Sequence, residues 1–407
     1  MSDKNKKIFK IILIVLGVIL ISEVIYFGIR LYTDRKNTTF NSGSNAMIVS
    51  DGKYIMAGFS DYKHSDFNDY EKGYEKATIF TYDDEKVISE VGLKLGYNSH
   101  YNDIVKTSDG YVAVGSIEMT KEHNENKLSE GVIVKYDNNF KIKWRKNISN
   151  LGKTELFKVK LDDDGNIIVS GSSVYGEGYV GNHTTGGGML FKYSSSGKEL
   201  MRINYGGPYS GSFNDFLIED DGYVAVGLGK KNSGIIIKYD FNGKKIWSGS
   251  YGYTDSNGFR SVDKIGNKYV VATTKVVDLN KMNNYQAALV VFSSSGKRLD
   301  DVKYSSSDVN MFSDVSVYKG NIYVVGSTGK NSSGTVSTDA FVLKYDDNLY
   351  EDKEVFFKGN NNDYYNSILI DDGTIYVSGY SNSKLKLDGF NGYDYFPVIS
   401  KYSLDLK

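Results

Sequence analysis

Three carboxylates recur in one local context along the chain: Tyr101-Asn102-Asp103, Phe213-Asn214-Asp215 and Phe312-Ser313-Asp314, with Tyr365-Asn366-Ser367 as an uncharged fourth version. Carboxylates that converge can hold a cation or divide the work of acid and base. The same residues also suit a plainer role, since a residue repeated in register can hydrogen-bond the backbone of a neighbouring repeat. Other reactive groups are sparse. His100 and His123 stand isolated, no Ser-His-Asp or metal-ligand spacing occurs, and there is no cysteine. Asp-Asp-Gly clusters such as Asp163-Asp164-Gly165 and Asp220-Asp221-Gly222 lack the alternating ligands and distal Glu of an EF-hand loop.

A second group of residues could bind rather than react. One segment carries Tyr62, His64, Asp66, Phe67, Asp69, Tyr70 and Tyr74; another carries Tyr380, Asp388, Phe390, Tyr393, Asp394, Tyr395 and Phe396. Flat aromatic faces beside carboxylates suit sugar stacking or a protein hot spot. A chain with 34 tyrosines also packs them inside its own long loops. Tyr175, Tyr179, His183 and Gly186-Gly187-Gly188 form a weaker set, because a glycine run without a following helix is no phosphate cradle.

The elements that must position these groups are written as a repeat. Tyr111-Val-Ala-Val-Gly115 recurs as Tyr54–Gly58, Ile167–Gly171, Tyr223–Gly227, Tyr269–Thr273, Ile322–Gly326 and Ile375–Gly379, at spacings of 57, 56, 56, 46, 53 and 53 residues. Short strands at a period of about 40–55 residues are the mark of a β-propeller. In the second repeat, residues 102–107 alternate and Ser108-Asp109-Gly110 turns into Tyr111–Gly115. A long loop then leads to Gly131–Tyr136, a turn at Asp137–Phe140 and a fourth strand carrying Trp144. Four antiparallel strands with two tight turns make one blade. The expected fold is all-β, a seven-bladed propeller of four-stranded antiparallel blades over residues 37–407. Its tight hairpins share one face, and the long loops share the other with the mouth of the axis, where Asp103, Asp215 and Asp314 start the inner strands. Function concentrates on such loops. The last repeat stops at the turn ending in Lys407, so residues 37–40 are expected to supply its outer strand and remove an open edge.

Ahead of the repeats, Ile11–Ile29 is a 19-residue, almost wholly apolar run, close to the length that crosses a bilayer. Lys4, Lys6, Lys7 and Lys10 precede it, so residues 1–10 read as a cytoplasmic stub, 11–29 as a transmembrane helix and 30–36 as a linker to an extracytoplasmic domain. No small-x-small cleavage site follows, which favours a retained anchor over a signal peptide. Glu23 within the span costs about 2–3 kcal/mol there, and either leans with Arg30 toward the interface or meets a partner helix. Residues 1–36 hold seven Lys/Arg against three Asp/Glu, which leaves the remainder of this −1 chain mildly acidic and argues against nucleic acid.

Ile235-Ile-Ile-Lys-Tyr-Asp-Phe-Asn-Gly-Lys-Lys-Ile-Trp247 resembles the Lys-Tyr-Asp-x-x-Gly-x-x-x-Trp unit of bacterial quinoprotein-like (PQQ-like) propeller repeats, and Val132–Trp144 repeats it with Phe140 in the glycine position. The resemblance implies a propeller of a mostly non-catalytic kind. Quinoprotein dehydrogenases themselves typically use eight blades, a vicinal disulfide and a calcium-bound quinone. This chain has no cysteine, and most repeats put Leu200, Leu299 or Val355 near the tryptophan place, so no cofactor is expected. The sequence therefore points to a membrane-anchored binding or scaffolding module for a cell-wall glycan or an envelope protein. The alternatives are a glycan-processing enzyme using the axial carboxylates and an accessory subunit of a membrane complex.

Overall fold

A computed structural model of the 407-residue chain describes residues 42–61, 75–83, 87–119, 129–149, 153–174, 187–206, 211–229, 233–252, 254–276, 285–332, 335–359, 361–382 and 395–407. Among them every regular element is a strand. The first blade comprises β1 (Ser42–Ser50), β2 (Lys53–Asp61), β3 (Glu75–Tyr82) and β4 (Val87–Leu93). The second holds β5 (Asn98–Thr107), β6 (Gly110–Glu118), β7 (Ser129–Tyr136) and β8 (Ile142–Ile148), and the third β9 (Lys153–Leu161), β10 (Ile167–Val174), β11 (Gly187–Tyr193) and β12 (Glu199–Tyr205). Next come β13 (Ser212–Glu219), β14 (Gly222–Leu228), β15 (Gly234–Tyr239) and β16 (Lys245–Tyr251), then β17 (Thr254–Ile265), β18 (Lys268–Val276), β19 (Tyr285–Ser293) and β20 (Arg298–Tyr304). The sixth blade is β21 (Val309–Tyr318), β22 (Asn321–Ser332), β23 (Thr335–Tyr345) and β24 (Glu351–Phe357), and the last is β25 (Asp363–Asp371), β26 (Thr374–Ser381) and β27 (Phe396–Ser403).

Within each blade, consecutive strands pair antiparallel. Single parallel bridges, Ser129 to Lys153 and Tyr285 to Val309, join the second blade to the third and the fifth to the sixth. Successive first strands pack side by side from β1 to β25, and β25, β26 and β27 pack on β1, which closes a ring. The last blade has three strands among the described residues. The segment 37–40, expected to complete it, and the candidate membrane span 11–29 both lie outside them. No helix among the described residues is long and apolar enough to cross a membrane.

The repeated glycine has a steric cause. Each inner strand carries a bulge, between Tyr101 and Asp103 in β5 and at the matching place in β13, β21 and β25. The extra residue pushes a carbonyl toward the second strand. A Cβ at Gly115 would stand 1.9 Å from the His100 oxygen, and Gly58, Gly326 and Gly379 face the same obstacle. In the fifth blade Thr273 takes this place because Gly258, at φ +71°, redirects its carbonyl to accept from the Thr273 hydroxyl at 2.9 Å. The hairpins Asp51-Gly52, Lys319-Gly320 and Asp372-Gly373 have positive φ at both residues, the twist-matched two-residue turn.

The core lies between blades rather than at the centre. β6 is buried on both sides, so it reads as an unbroken apolar run: Tyr111 and Ala113 pack toward the first blade, Val112 and Val114 toward the third. Fourth strands are half exposed and alternate. Met47, Tyr54, Met56, Phe80 and Tyr82 of the first blade pack with Ile399 and Tyr376 of the last, so the seam is sealed by the same apolar contact as the internal junctions. Leu200, Leu299 and Val355 lie one or two positions from the tryptophan place, which Met201, Asp300 and Lys353 occupy; each of these stands nine residues beyond the third-strand residue it faces, as Trp144 stands beyond Lys135.

Candidate functional site

The bulge that bars a Cβ at Gly115 also aims side chains along the ring. At the bulged position, Asn45 Nδ2 donates to the Tyr101 carbonyl (2.8 Å), Asn102 to Leu156 (2.9 Å), Asn214 to Phe259 (2.7 Å) and Asn366 to Ser44 (3.1 Å). One residue later the carboxylates accept from the next inner strand: Asp103 from the Val159 amide (2.9 Å), Asp215 from Val262 (3.0 Å) and Asp314 from Ile368 (3.1 Å). Asp263, one turn of the pleat further on, accepts from Val317 at 2.7 Å. Asparagine and aspartate together form a two-pronged latch between blades.

The three sequence-predicted aspartates thus gather around the axis, each nearly buried. Two lysines of β9 meet them. Lys160 lies 2.9 Å from Asp215 and also donates to the Phe216 carbonyl. Lys158 crosses from the third blade to the sixth, 3.9 Å from Asp314. The Ser261 hydroxyl is within reach of both Asp215 (3.0 Å) and Asp314 (2.5 Å), and its single proton serves one at a time. Burial pushes the Asp103 carboxyl up against the pull of Lys158 and the Val159 amide. Burial acts the same way on Asp215, but Lys160 and Lys158 outweigh it and hold that carboxyl below its usual range. Burial disfavours the charged form of Lys158 too, yet Asp314, Asp103 and Asp215 keep it charged far above the ordinary lysine range. A carboxylate occupied by a backbone amide and a lysine is poorly placed to trade protons with a substrate. Among the described residues, no group of three or more His, Asp or Glu could hold a metal ion.

The lysines escaped sequence reasoning, although one signal was present. Leu156-Phe157-Lys158 aligns with Tyr101-Asn102-Asp103, so Lys158 holds the aspartate position of its own repeat. His100, read as isolated, is not: its Nε2 lies 3.3 Å from Glu155, which also accepts from Asn102 at 3.0 Å. Burial disfavours the imidazolium, but Glu155 more than compensates and raises the His100 pKa, and the pair lowers that of Glu155. The Asp-Gly hairpins hold lysines: Lys135 reaches Asp109 at 2.5 Å and Lys238 reaches Asp221 at 2.6 Å.

Of the aromatic candidates, Tyr62, Asp66, Phe67, Tyr70, Tyr74, Asp388, Phe390, Tyr393 and Asp394 lie outside the described residues. Tyr380 and Tyr395 are described and sit at the seam on the long-loop side. Tyr380 packs edge-on to Tyr395 (centroids 5.2 Å) and Phe59 (6.2 Å) and tilted against Tyr364 (4.9 Å). Burial raises the pKa of both tyrosines. The Ser42 amide donates to the Tyr395 carbonyl at 2.8 Å.

Closed topology and axial latches define a β-propeller. No protein-family profile matches the chain, and no curated protein sequence matches it. Solved structures do. The phage phi92 endosialidase overlays with a TM-score of 0.50 at 10% identity, covering 93% of this chain and 69% of that one. The Dos1 propeller gives 0.46 at 12% identity, covering 89% and 93%. The β-propeller domain of the Trilobed protease from Pyrococcus furiosus gives 0.43 at 10%, covering 84% and 90%. At such identities the likeness concerns the fold alone, and the two looser overlays carry no argument.

Proposed function

We propose that this chain is a seven-bladed propeller of the quinoprotein-like repeat type, without a quinone, tethered by residues 11–29 on the outer side of a cell membrane. It acts there as a binding or scaffolding module for a cell-wall glycan or an envelope protein. The observation that carries this reading is the commitment of Asp103, Asp215 and Asp314 to backbone amides, with Lys160 paired to Asp215 and Lys158 to Asp314. The groups best suited to chemistry are engaged in holding the ring, which leaves the loops to meet a partner. The seam supports the choice of face, since Phe59, Tyr364, Tyr380 and Tyr395 make a continuous aromatic cluster there, on strands that flank the two aromatic segments in sequence.

Co-sedimentation of the full chain with purified cell-wall sacculi tests it. Binding should fall when Tyr62, Tyr70 and Tyr393 become alanine while the fold persists. Failure of the wild type to bind any wall preparation would redirect the search to an envelope protein by crosslinking in cells. A glycan-processing enzyme is separated by changing Asp103, Asp215 and Asp314 to asparagine together: an enzyme loses turnover while folded, and a latch loses stability. Exchanging residues 11–29 for an unrelated anchor would disable an accessory subunit and spare a wall binder.

A further inference from the structure

On the tight-hairpin face, between the first and second blades, lies an open cleft of about 740 Å³. Register shows why. At the last pair before the bulge, the third and fourth strands place Lys135 opposite Trp144, Lys192 opposite Met201 and Lys238 opposite Trp247. The first blade has Thr81 opposite Ser89 at this position. Both large side chains are missing from the repeat.

Each absence has a local consequence. Trp144 covers Gly197 of the following blade and donates from Nε1 to the Ser195 carbonyl at 3.2 Å; Trp247 covers Gly296, where a Cβ would come within 2.4 Å of the indole. Opposite Ser89 the glycine is replaced by Phe140, at φ 59°, which turns aside and stacks on Tyr111 at 4.8 Å. The aromatic lid is gone, and its seat is remade as a wall. Where the second, third and fourth blades set Lys135, Lys192 and Lys238 against a hairpin carboxylate, Thr81 leaves a buried hydroxyl with no hydrogen-bond partner. Asp51, 83% exposed, keeps Lys106 of the next blade 3.6 Å away.

We propose that this cleft is a binding site for a neutral saccharide, distinct from the long-loop face and on the opposite side of the ring. Hydroxyl and amide groups of Ser50, Ser108, Asn138 and Asn139 line the cleft together with the apolar side chains of Ile88 and Phe140. That combination matches a sugar ring, with hydrogen-bonding edges and C–H faces. Two lysines against one aspartate make the lining only weakly positive, and no arginine is present to grip a phosphate. One carboxylate is too few for a divalent cation. The volume falls in the usual range for small-ligand sites.

Saturation-transfer NMR on the purified full chain, with glucose, N-acetylglucosamine and their tetramers as probes, tests the proposal. Transfer to at least one saccharide is expected. The pair Ser89→Trp with Phe140→Gly rebuilds the junction found after the second and fourth blades, and should abolish transfer while the melting temperature holds. Asn139→Ala with Asp51→Asn leaves the volume open and should weaken binding at least fivefold, which keeps the test decisive if the filled variant misfolds. Alanine at Tyr62, Tyr70 and Tyr393 should leave transfer intact, which separates this site from the wall-binding face. No transfer from any probe, transfer unchanged in both cleft variants, or a response to inorganic phosphate alone would each overturn it.

Discussion

Replacing Lys158 with methionine tests whether the axis is an ion network that holds the ring. The substitution keeps most of the volume and removes a cation that faces Asp103, Asp215 and Asp314 together. Asp215 retains Lys160, so the burden falls on Asp103 and Asp314, which are 8% and 6% exposed. Removing one partner of a buried pair costs about 3–5 kcal/mol. Here the 3.9 Å separation and the 22% exposure of the Lys158 side chain place the loss lower, at about 2–3 kcal/mol. For a chain of this size that is a fall in melting temperature of about 3–4 °C. The pH dependence gives the sharper signature. Without Lys158 the Asp103 carboxyl, already raised by burial, rises further. An acid whose folded pKa lies above its unfolded value penalises the fold at high pH, and the penalty fades as pH falls through the folded value. The deficit of Lys158→Met should therefore shrink as pH falls from 7 toward about 4, the ordinary carboxylate value, and adding Asp314→Asn should recover much of it at pH 7. Calorimetry across that range is the assay. A deficit below about 1 kcal/mol at pH 7, or one that ignores pH, would refute the account.

Other expectations follow from the latches and bulges. Gly115→Ala puts a methyl 1.9 Å from the His100 oxygen, so denaturant unfolding should show a loss of about 1–3 kcal/mol or more. His100 has a raised pKa, so its pairing with Glu155 stabilises below pH 6.5 and is lost as pH rises through the higher folded value. Wild-type melting temperature should fall across that window, and His100→Gln should flatten the profile. Asn366→Ala deletes the latch to Ser44, 322 residues away, and should cost about 1 kcal/mol, with faster amide exchange in β1 as the local readout.

The repeat was legible because its causes are local. A bulge beside a second strand forbids a Cβ at Gly115, Gly227 and Gly326, and two-residue hairpins require positive φ at Gly52 and Gly320, so sterics write the period into the chain. The gathering of Asp103, Asp215 and Asp314 followed from their equal place in the repeat. Lys158 was not legible as their partner, since its contact with Asp314 joins blades that are remote in the ring. Glu155 escaped notice for a related reason: it sits a whole repeat from His100 and belongs to no motif of its own. The cleft beside Ser89 needed register, because Thr81 and Ser89 are eight residues apart where Lys135 and Trp144 are nine, so counting from the other repeats passes over Ser89.

Every axial latch reaches forward. Asn45 grips the second blade, Asn102 the third and Asn214 the fifth, and Asn366 grips the first. Between separate subunits, a contact joining the front of one to the back of the next builds a closed circle or an endless helix, according to whether the rotation per step divides a full turn. In this chain the rotation closes, and the closing contact has the chemistry of the internal ones. The molecule is a cyclic oligomer written on one polypeptide, and its copy number is held by all junction angles jointly. Adding or deleting a unit would force every junction to open or tighten. Lengthening a rim loop changes no angle at all, so the architecture directs variation outward and leaves the axis alone.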